Sequence, residues 1–325
     1  MMTTPMLPST VRTRYDVASA VSIGQRDCQE DAIVTDFPQG AEHGFVVLAD
    51  GMGGHAAGDI ASRIVVTEVF SELKLQAGDP DRLEANITRI LRNAVATANE
   101  CVLTHAMAYP RTNGMGATLL APVLLRDRLF WISVGDSPLL LYRDGVLTQL
   151  NEDHSMGPQI DQMVRSGLMP AERARNHPDR NCLTSVLIGR SIPRIDCPAE
   201  PLLLRDGDIV IAASDGLQFL DQDEIAGLLA GLGDAGSNRI TETLMRRIES
   251  LADPDQDNVS VSVIRVSHGD GRPLPVQAPA PGLAADLGRF LRHAPKHAEV
   301  TVMASKTRNG VAMVCRMTLP QGRPS

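Results

Sequence analysis

Short apolar runs bounded by turn residues dominate the first 267 residues of the chain. They recur at 44–49, 119–125, 129–134, 138–142 and 209–213, with a strand-like run at 259–266. Runs this short, and rich in Val, Ile and Leu, predict buried strands. Arg126-Asp127-Arg128 and Arg143-Asp144-Gly145 separate successive runs by too few residues for a helical crossover, so they predict antiparallel hairpins. Apolar positions at helical spacing predict helices over 59–75, 80–106 and 238–251. The stretch 156–200 is less regular and reads as helices and a mobile loop inserted between strands. No segment repeats.

The pattern changes at residue 268. Pro273, Pro275, Pro279 and Pro281 mark a stiff, extended linker over 268–281. Beyond it, 282–325 reads as a small α+β appendage, with a short amphipathic helix over 283–293 and a hairpin turning at Asn309-Gly310. The chain therefore divides into a body at 1–267, a linker and an appendage. Charge divides the same way: from His268 onward there are eight Lys and Arg against three Asp and Glu. The whole chain carries −8, which leaves the body at −13 and the tail at +5. Opposite signs predict a tail that docks on its own body or on an acidic partner, and a tail covering the acidic face would inhibit the body.

Composition narrows the class. The length, 325 residues, allows about two domains. With 43% hydrophobic and 22% charged residues the chain is neither disordered, collagen-like nor a coiled coil. Its negative charge argues against nucleic-acid binding, and 3% aromatic residues leave little for base stacking. Cys28, Cys101, Cys182, Cys197 and Cys315 are scattered and never form C-x-x-C, so they read as reduced thiols. No run approaches the about 18 apolar residues of a membrane span, and the first residues lack a signal-peptide core. The expectation is a cytoplasmic protein with no membrane or nucleic-acid partner.

The candidate chemistry lies at strand ends. Asp50 follows FVVLA, Asp136 follows LFWISVG, Asp215 follows IVIAAS, and Asp257 precedes NVSVSVIRV. A single Asp-Gly at a strand end is an ordinary turn signal. Several are different, because strands lying side by side bring these carboxylates to one edge, where like charges repel unless cations neutralise them. Carboxylate and carbonyl oxygens, with no thiolate pair and no H-E-x-x-H, suit Mg²⁺ or Mn²⁺ rather than Zn²⁺. Two such ions about 4 Å apart acidify a water and clamp a phosphoryl oxygen, which is the chemistry of phosphate-ester hydrolysis.

Six segments carry a family resemblance: SIGQRDCQEDA from Ser22, ADGMGGHAAGDIAS from Ala49, GMGATL from Gly114, VGDSPLLLYRDGVLTQLNEDHS from Val134, AASDGL from Ala212 and DQDNVSVSVIRV from Asp255. In this order they resemble the motif series of the metal-dependent PPM, or type 2C, serine/threonine protein phosphatases of bacterial type, over about 17–266. The resemblance implies an α+β fold, a four-layer α/β/β/α sandwich of two mainly antiparallel sheets flanked by helices. It implies hydrolysis of phosphoserine and phosphothreonine by a metal-bridging hydroxide, without a covalent intermediate. Asp50 would bridge two Mn²⁺ or Mg²⁺ ions, the Gly51 carbonyl would ligate one, and Asp215 and Asp257 would complete the second ion's shell. Asp136 matches the position that, with Asp215, holds a third ion. Glu30 and Asp31 match residues that bind metal-ligated waters, and Arg26 matches the guanidinium that grips the substrate phosphate. The stretch 156–200 resembles the family's flap. The partner implied is a phosphoprotein, with opposition to a Hanks-type kinase by analogy alone.

Three positions depart from the wider family pattern. Met52 stands where many eukaryotic relatives carry a histidine that protonates the leaving alkoxide; methionine transfers no proton, which leaves that role to metal-bound water or His55. Ala117 replaces a frequent threonine, and Pro138 a frequent arginine. His154 reads as structural, fixing the loop that leads into 156–200. Two other readings compete. Residues 51–56 fit the dinucleotide fingerprint G-x-G-x-x-G/A, but Asp50 would face the pyrophosphate and no βαβ alternation follows. A pseudophosphatase would have lost a bridging carboxylate, whereas Asp50, Asp215 and Asp257 all remain.

Overall fold

The computed structural model describes residues 12–269, except 40, 55 and 176, and two strands within 299–318. His55, most of the Pro-rich linker and the helix expected over 283–293 lie outside the described residues. Contacts group the chain into Met1–Gly271 and Arg272–Ser325.

The first unit begins with strands β1 (Arg12–Ser22), β2 (Asp31–Asp36) and β3 (His43–Met52), then helices α1 (Ala56–Gln76), α2 (Pro80–Ala85) and α3 (Ile87–Ala108). Strands β4 (Gly116–Ala117), β5 (Leu119–Leu125), β6 (Arg128–Val134), β7 (Leu139–Arg143) and β8 (Val146–Gln149) follow. Next come α4 (Gly157–Arg165), α5 (Ala171–Arg175), β9 (Leu202–Leu203), β10 (Ile209–Ala213), α6 (Gln222–Leu232), α7 (Ser237–Leu251) and β11 (Val259–Gly269). In the second unit β12 (Glu299–Thr307) and β13 (Gly310–Thr318) pair antiparallel, with Thr307 opposite Gly310.

The strands of the first unit form two sheets, ordered β1-β11-β10-β7-β8 and β2-β3-β5-β6-β9, with β4 added beside β3. Every pairing is antiparallel. Alternation along each strand divides the burial between two faces. Phe45, Val47 and Ala49 pack with Val65 and Val69 of α1 and Leu91 and Val95 of α3. Val46, Leu120, Leu124 and Trp131 instead meet Val210, Ala212, Ile264 and Val266 of the other sheet. The outer face of that sheet, with Ile211, Val261 and Val263, is covered by Leu229 of α6 and Ile240, Leu244 and Ile248 of α7. The result is a four-layer α/β/β/α sandwich. Central strands are covered on both faces, which is why β5 is buried at every position and reads as a continuous apolar run.

The helix expected over 80–106 is two helices. Asp79 caps the first by accepting the Arg82 N–H at 3.1 Å, with Pro80 in the first turn. Asn86 ends it: the side chain donates to the Arg82 carbonyl at 3.0 Å and the backbone N–H to the Leu83 carbonyl at 3.2 Å. One buried ion pair also holds the sandwich edge. Asp208, 2% exposed, receives Arg143 Nε at 2.9 Å and Nη2 at 2.6 Å. Arg143→Ala strands that carboxylate without its cation and is expected to lower the unfolding free energy by about 3 kcal/mol. Urea unfolding checks this, and a change within error of zero contradicts it.

Candidate metal centre

Register delivers the carboxylates. Antiparallel pairing of β2 with β3 sets Asp31 opposite Asp50, where the apolar run of β3 ends. Past that point β3 turns from β5 to β4, pairing Gly51 with Ala117. Thr118 holds the Asp50 peptide from both sides: its Oγ1 accepts the Asp50 N–H at 2.9 Å and its N–H donates to the Asp50 carbonyl at 2.8 Å. Gly51 is required here by close approach, since a Cβ would lie 2.1 Å from the Gly58 carbonyl oxygen and 2.7 Å from that of Glu30.

The other sheet contributes Asp215, in the 3₁₀ turn after β10, and Asp257, two residues before β11. Ser214 joins the two sheets: its Oγ donates to Asp31 Oδ2 at 2.7 Å and accepts the Ser260 N–H at 2.9 Å. Asn258, 4% exposed, fixes the loop bearing Arg26 and Glu30. It donates to the carbonyls of Ile23 at 2.9 Å and Cys28 at 3.1 Å and accepts the Glu30 N–H at 2.7 Å. Asp136 sits in the turn after β6, next to Gly135, whose φ is +110°.

Electrostatics binds these residues into one cluster. Burial pushes the Asp50 carboxyl well above the usual carboxylate range, and Asp31, Asp215, Asp136 and Asp257 add repulsion. Burial raises Asp31 to about 7, with repulsion from Asp215 and Asp257, despite the Ser214 hydrogen bond that favours its charge. Burial and the charges of Asp215 and Asp153 lift Asp136 to about 7. Asp215 is also raised, by burial first and then by Asp257, and its Oδ1 is buried with no hydrogen-bond partner. Anions held together in this way are stable only when protons or cations neutralise them.

The donor set fits a hard divalent cation: buried carboxylates, an orphaned carboxylate oxygen and adjacent backbone carbonyls, without thiolate or imidazole. The rotamers do not form a closed shell. Among the described residues, no three His, Cys, Asp or Glu side chains are arranged to hold an ion. Asp257 instead receives Arg26 Nη2 at 2.6 Å, and Asp31 receives Ser214. A cleft of about 460 Å³ is lined by Arg26, Asp136, Asp215 and Asp257, together with Ser155 and, from the inserted segment, Arg180. Glu30 borders the cluster at Gly58, where a Cβ would meet its Oε2 at 2.2 Å.

Of the residues expected from the sequence, Asp31, Asp136, Asp215 and Asp257 all act on Asp50, Arg26 and Glu30 flank them, and His55 lies outside the described residues. The sequence pattern does not single out Thr118, Ser214 and Asn258. Each stands inside one of the motif segments, and that adjacency was the signal for them.

A family model of protein phosphatase 2C matches residues 22–225, and the chain belongs to that family. The chain is 33% identical over 242 residues to the serine/threonine protein phosphatase PstP of Mycobacterium tuberculosis, covering 73% of this chain and 43% of that protein. It is 30% identical over 222 residues to a putative protein phosphatase 2C-type of Streptococcus pyogenes, covering 66% of this chain and 83% of that one. It therefore spans less than half of the mycobacterial relative and most of the streptococcal one. Among solved structures, the serine/threonine phosphatase of S. agalactiae superposes with a TM-score of 0.64 at 27% identity, covering 78% of this chain and 99% of that one. The catalytic domain of PstP in complex with two manganese ions gives 0.59 at 28% identity, covering 79% and 100%.

Proposed function

We propose that the chain is a metal-dependent protein phosphatase that removes phosphate from serine and threonine side chains. The observation that carries this is the carboxylate cluster in which Asp31, Asp136, Asp215 and Asp257 all repel Asp50, beside a cleft lined by Arg26, Asp136, Asp215 and Asp257. In this reading Asp50 and Asp215, with Asp257 and the Gly51 carbonyl, hold two Mn²⁺ or Mg²⁺ ions, and Asp136 with Asp215 holds a third. Bound there, the ions supply an acidified water and the positive charge that a phosphoryl group needs.

The chain's own residues do the rest. Arg26 spends one contact on Asp257 and keeps further N–H donors for phosphate oxygens at the cleft mouth. Asp31, held by Ser214, and Glu30, held at its backbone by Asn258, are fixed to accept hydrogen bonds from ordered water. Met52, 39% exposed, has no proton to give, so the leaving alkoxide would take its proton from water at the metal site or from His55. The segment containing α4 and α5 lends Gly157 and Arg180 to the cleft lining and contributes to substrate choice.

Hydrolysis of a phosphothreonine peptide by the purified chain, with and without Mn²⁺, tests the proposal; absence of metal-dependent turnover refutes it. Arg26→Ala removes charge-assisted bonds of about 1.5–3 kcal/mol and is expected to raise KM on the order of tenfold, with a smaller change in kcat. An unchanged KM removes Arg26 from the phosphate site. The partner is a phosphoprotein, and a Hanks-type kinase acting on the same substrates is the natural opponent. No helix among the described residues is long and apolar enough to cross a membrane. With Cys28, Cys101, Cys182 and Cys197 unpaired, we read the setting as cytoplasmic.

A further inference from the structure

His154 is fully buried and bonded on several sides, yet beyond fixing the loop that leads into 156–200 it has been given no part at the metal centre. Its N–H donates to the Gly135 carbonyl at 3.0 Å, and its Nδ1 accepts the Gly135 N–H at 3.2 Å. Its carbonyl accepts from Thr184 twice, from the N–H at 2.7 Å and from Oγ1 at 2.8 Å. An imidazole that accepts at Nδ1 carries its proton on Nε2. That nitrogen is buried without a hydrogen-bond partner, and Glu152 Oε2, at 3.6 Å, is beyond hydrogen-bond reach. A buried unmatched donor costs about 1–3 kcal/mol. A histidine kept only to fill space would be a poor choice here, which directs attention to what Nδ1 does.

Gly135 immediately precedes Asp136, and its opposite side presses on Thr118, where a Cβ would lie 2.6 Å from Thr118 Cγ2. Thr118 in turn holds the Asp50 peptide and contacts Ser137 Oγ at 3.1 Å. The turn 135–137 is therefore gripped by Thr118 on one side and by His154 on the other. Beyond His154 the two stems of the inserted segment close on each other, with the Met156 N–H donating to the Cys182 carbonyl at 2.9 Å and Ser155 bridging Leu183. We infer that His154 is a positioning residue: through Nδ1 it fixes the Gly135 peptide, and so aims Asp136 into the centre while tying it to the base of the inserted segment. This rests on the reading of Asp136 as a carboxylate that holds an ion.

Mn²⁺ binding to the full chain, followed by calorimetry with thermal melting alongside, tests the inference through two variants of similar bulk. Asparagine in His154→Asn places its Oδ1 where Nδ1 stood and can accept the Gly135 N–H. Glutamine in His154→Gln carries its polar end to the position of Nε2 and cannot. Asp136→Asn serves as reference and identifies the binding step that depends on that carboxylate. His154→Gln is expected to weaken this step by about 10- to 100-fold and leave the other steps unchanged. His154→Asn is expected to bind like wild type. Equal binding by the two histidine variants, or unfolding of both, overturns the inference, because the ring then only fills space. Wild-type binding by Asp136→Asn overturns instead the reading of Asp136, and the inference with it.

Discussion

Asp50→Asn is expected to abolish metal-dependent phosphopeptide hydrolysis while leaving the fold in place. Asparagine is nearly isosteric with aspartate and keeps the backbone bonds to Thr118, which do not depend on the side chain. It removes the carboxylate that Asp31, Asp215, Asp136 and Asp257 all repel, and with it the group on which two cations would converge. Interactions of this kind contribute several kcal/mol to transition-state stabilisation, so turnover should fall on the order of a thousandfold or more. The same change predicts a second result that activity alone does not give. With one buried anion fewer, the metal-free variant should melt no lower than the metal-free wild type. Mn²⁺ should raise the melting temperature of the wild type by mass action and have far less effect on the variant. Retained turnover, or an equal rise with Mn²⁺, would remove Asp50 from the centre.

The residues that could be read from the sequence share one property: their signal is local. Asp50, Asp136 and Asp215 each close an apolar run, and a strand buried on both faces announces itself as such a run. Antiparallel pairing followed from the same pattern, because hairpin-length turns leave it as the short connection, whereas the layer order was implied by the family resemblance. Strand β1 gave no such signal. It is an edge strand, pairing only with β11, and its sequence RTRYDVASAVS mixes exposed and buried positions. The break at Asn86 was hidden for a related reason, since apolar spacing continues across it while a side-chain hydrogen bond ends the helix.

What local pattern could not give is the scaffold beneath the carboxylates. Ser214 reaches Asp31 across 183 residues of sequence, and Asn258 reaches Cys28 across 230. The first exists only after the two sheets stack, and the second only after β1 pairs with the distant β11. Arg26 shows the same limit. Its spacing from Glu30 was legible, whereas its pairing with Asp257, which makes one guanidinium neighbour both the phosphate path and the carboxylate cluster, belongs to the tertiary structure.

Asn258→Ala is accordingly expected to be the most damaging substitution outside the acidic residues. It deletes the donor to the Ile23 and Cys28 carbonyls and the acceptor for the Glu30 N–H, in a position 4% exposed to solvent. Unmet buried polar groups cost about 1–3 kcal/mol each, and water entering the gap recovers part of that, so a loss of about 3–4 kcal/mol is expected. The loop from Ile23 to Glu30 then loses its anchor, and Arg26 and Glu30 lose their register with the cluster. Activity should therefore fall even below the melting transition. Asn258→Asp separates bulk from hydrogen bonding. It retains the acceptor for Glu30 but turns a carboxylate toward two carbonyl oxygens beside Asp257, so it should be no better than alanine. A stable, active Asn258→Asp protein would mean that the loop is held by its backbone alone, through contacts such as the Gln25 N–H to the Gln256 carbonyl at 2.9 Å.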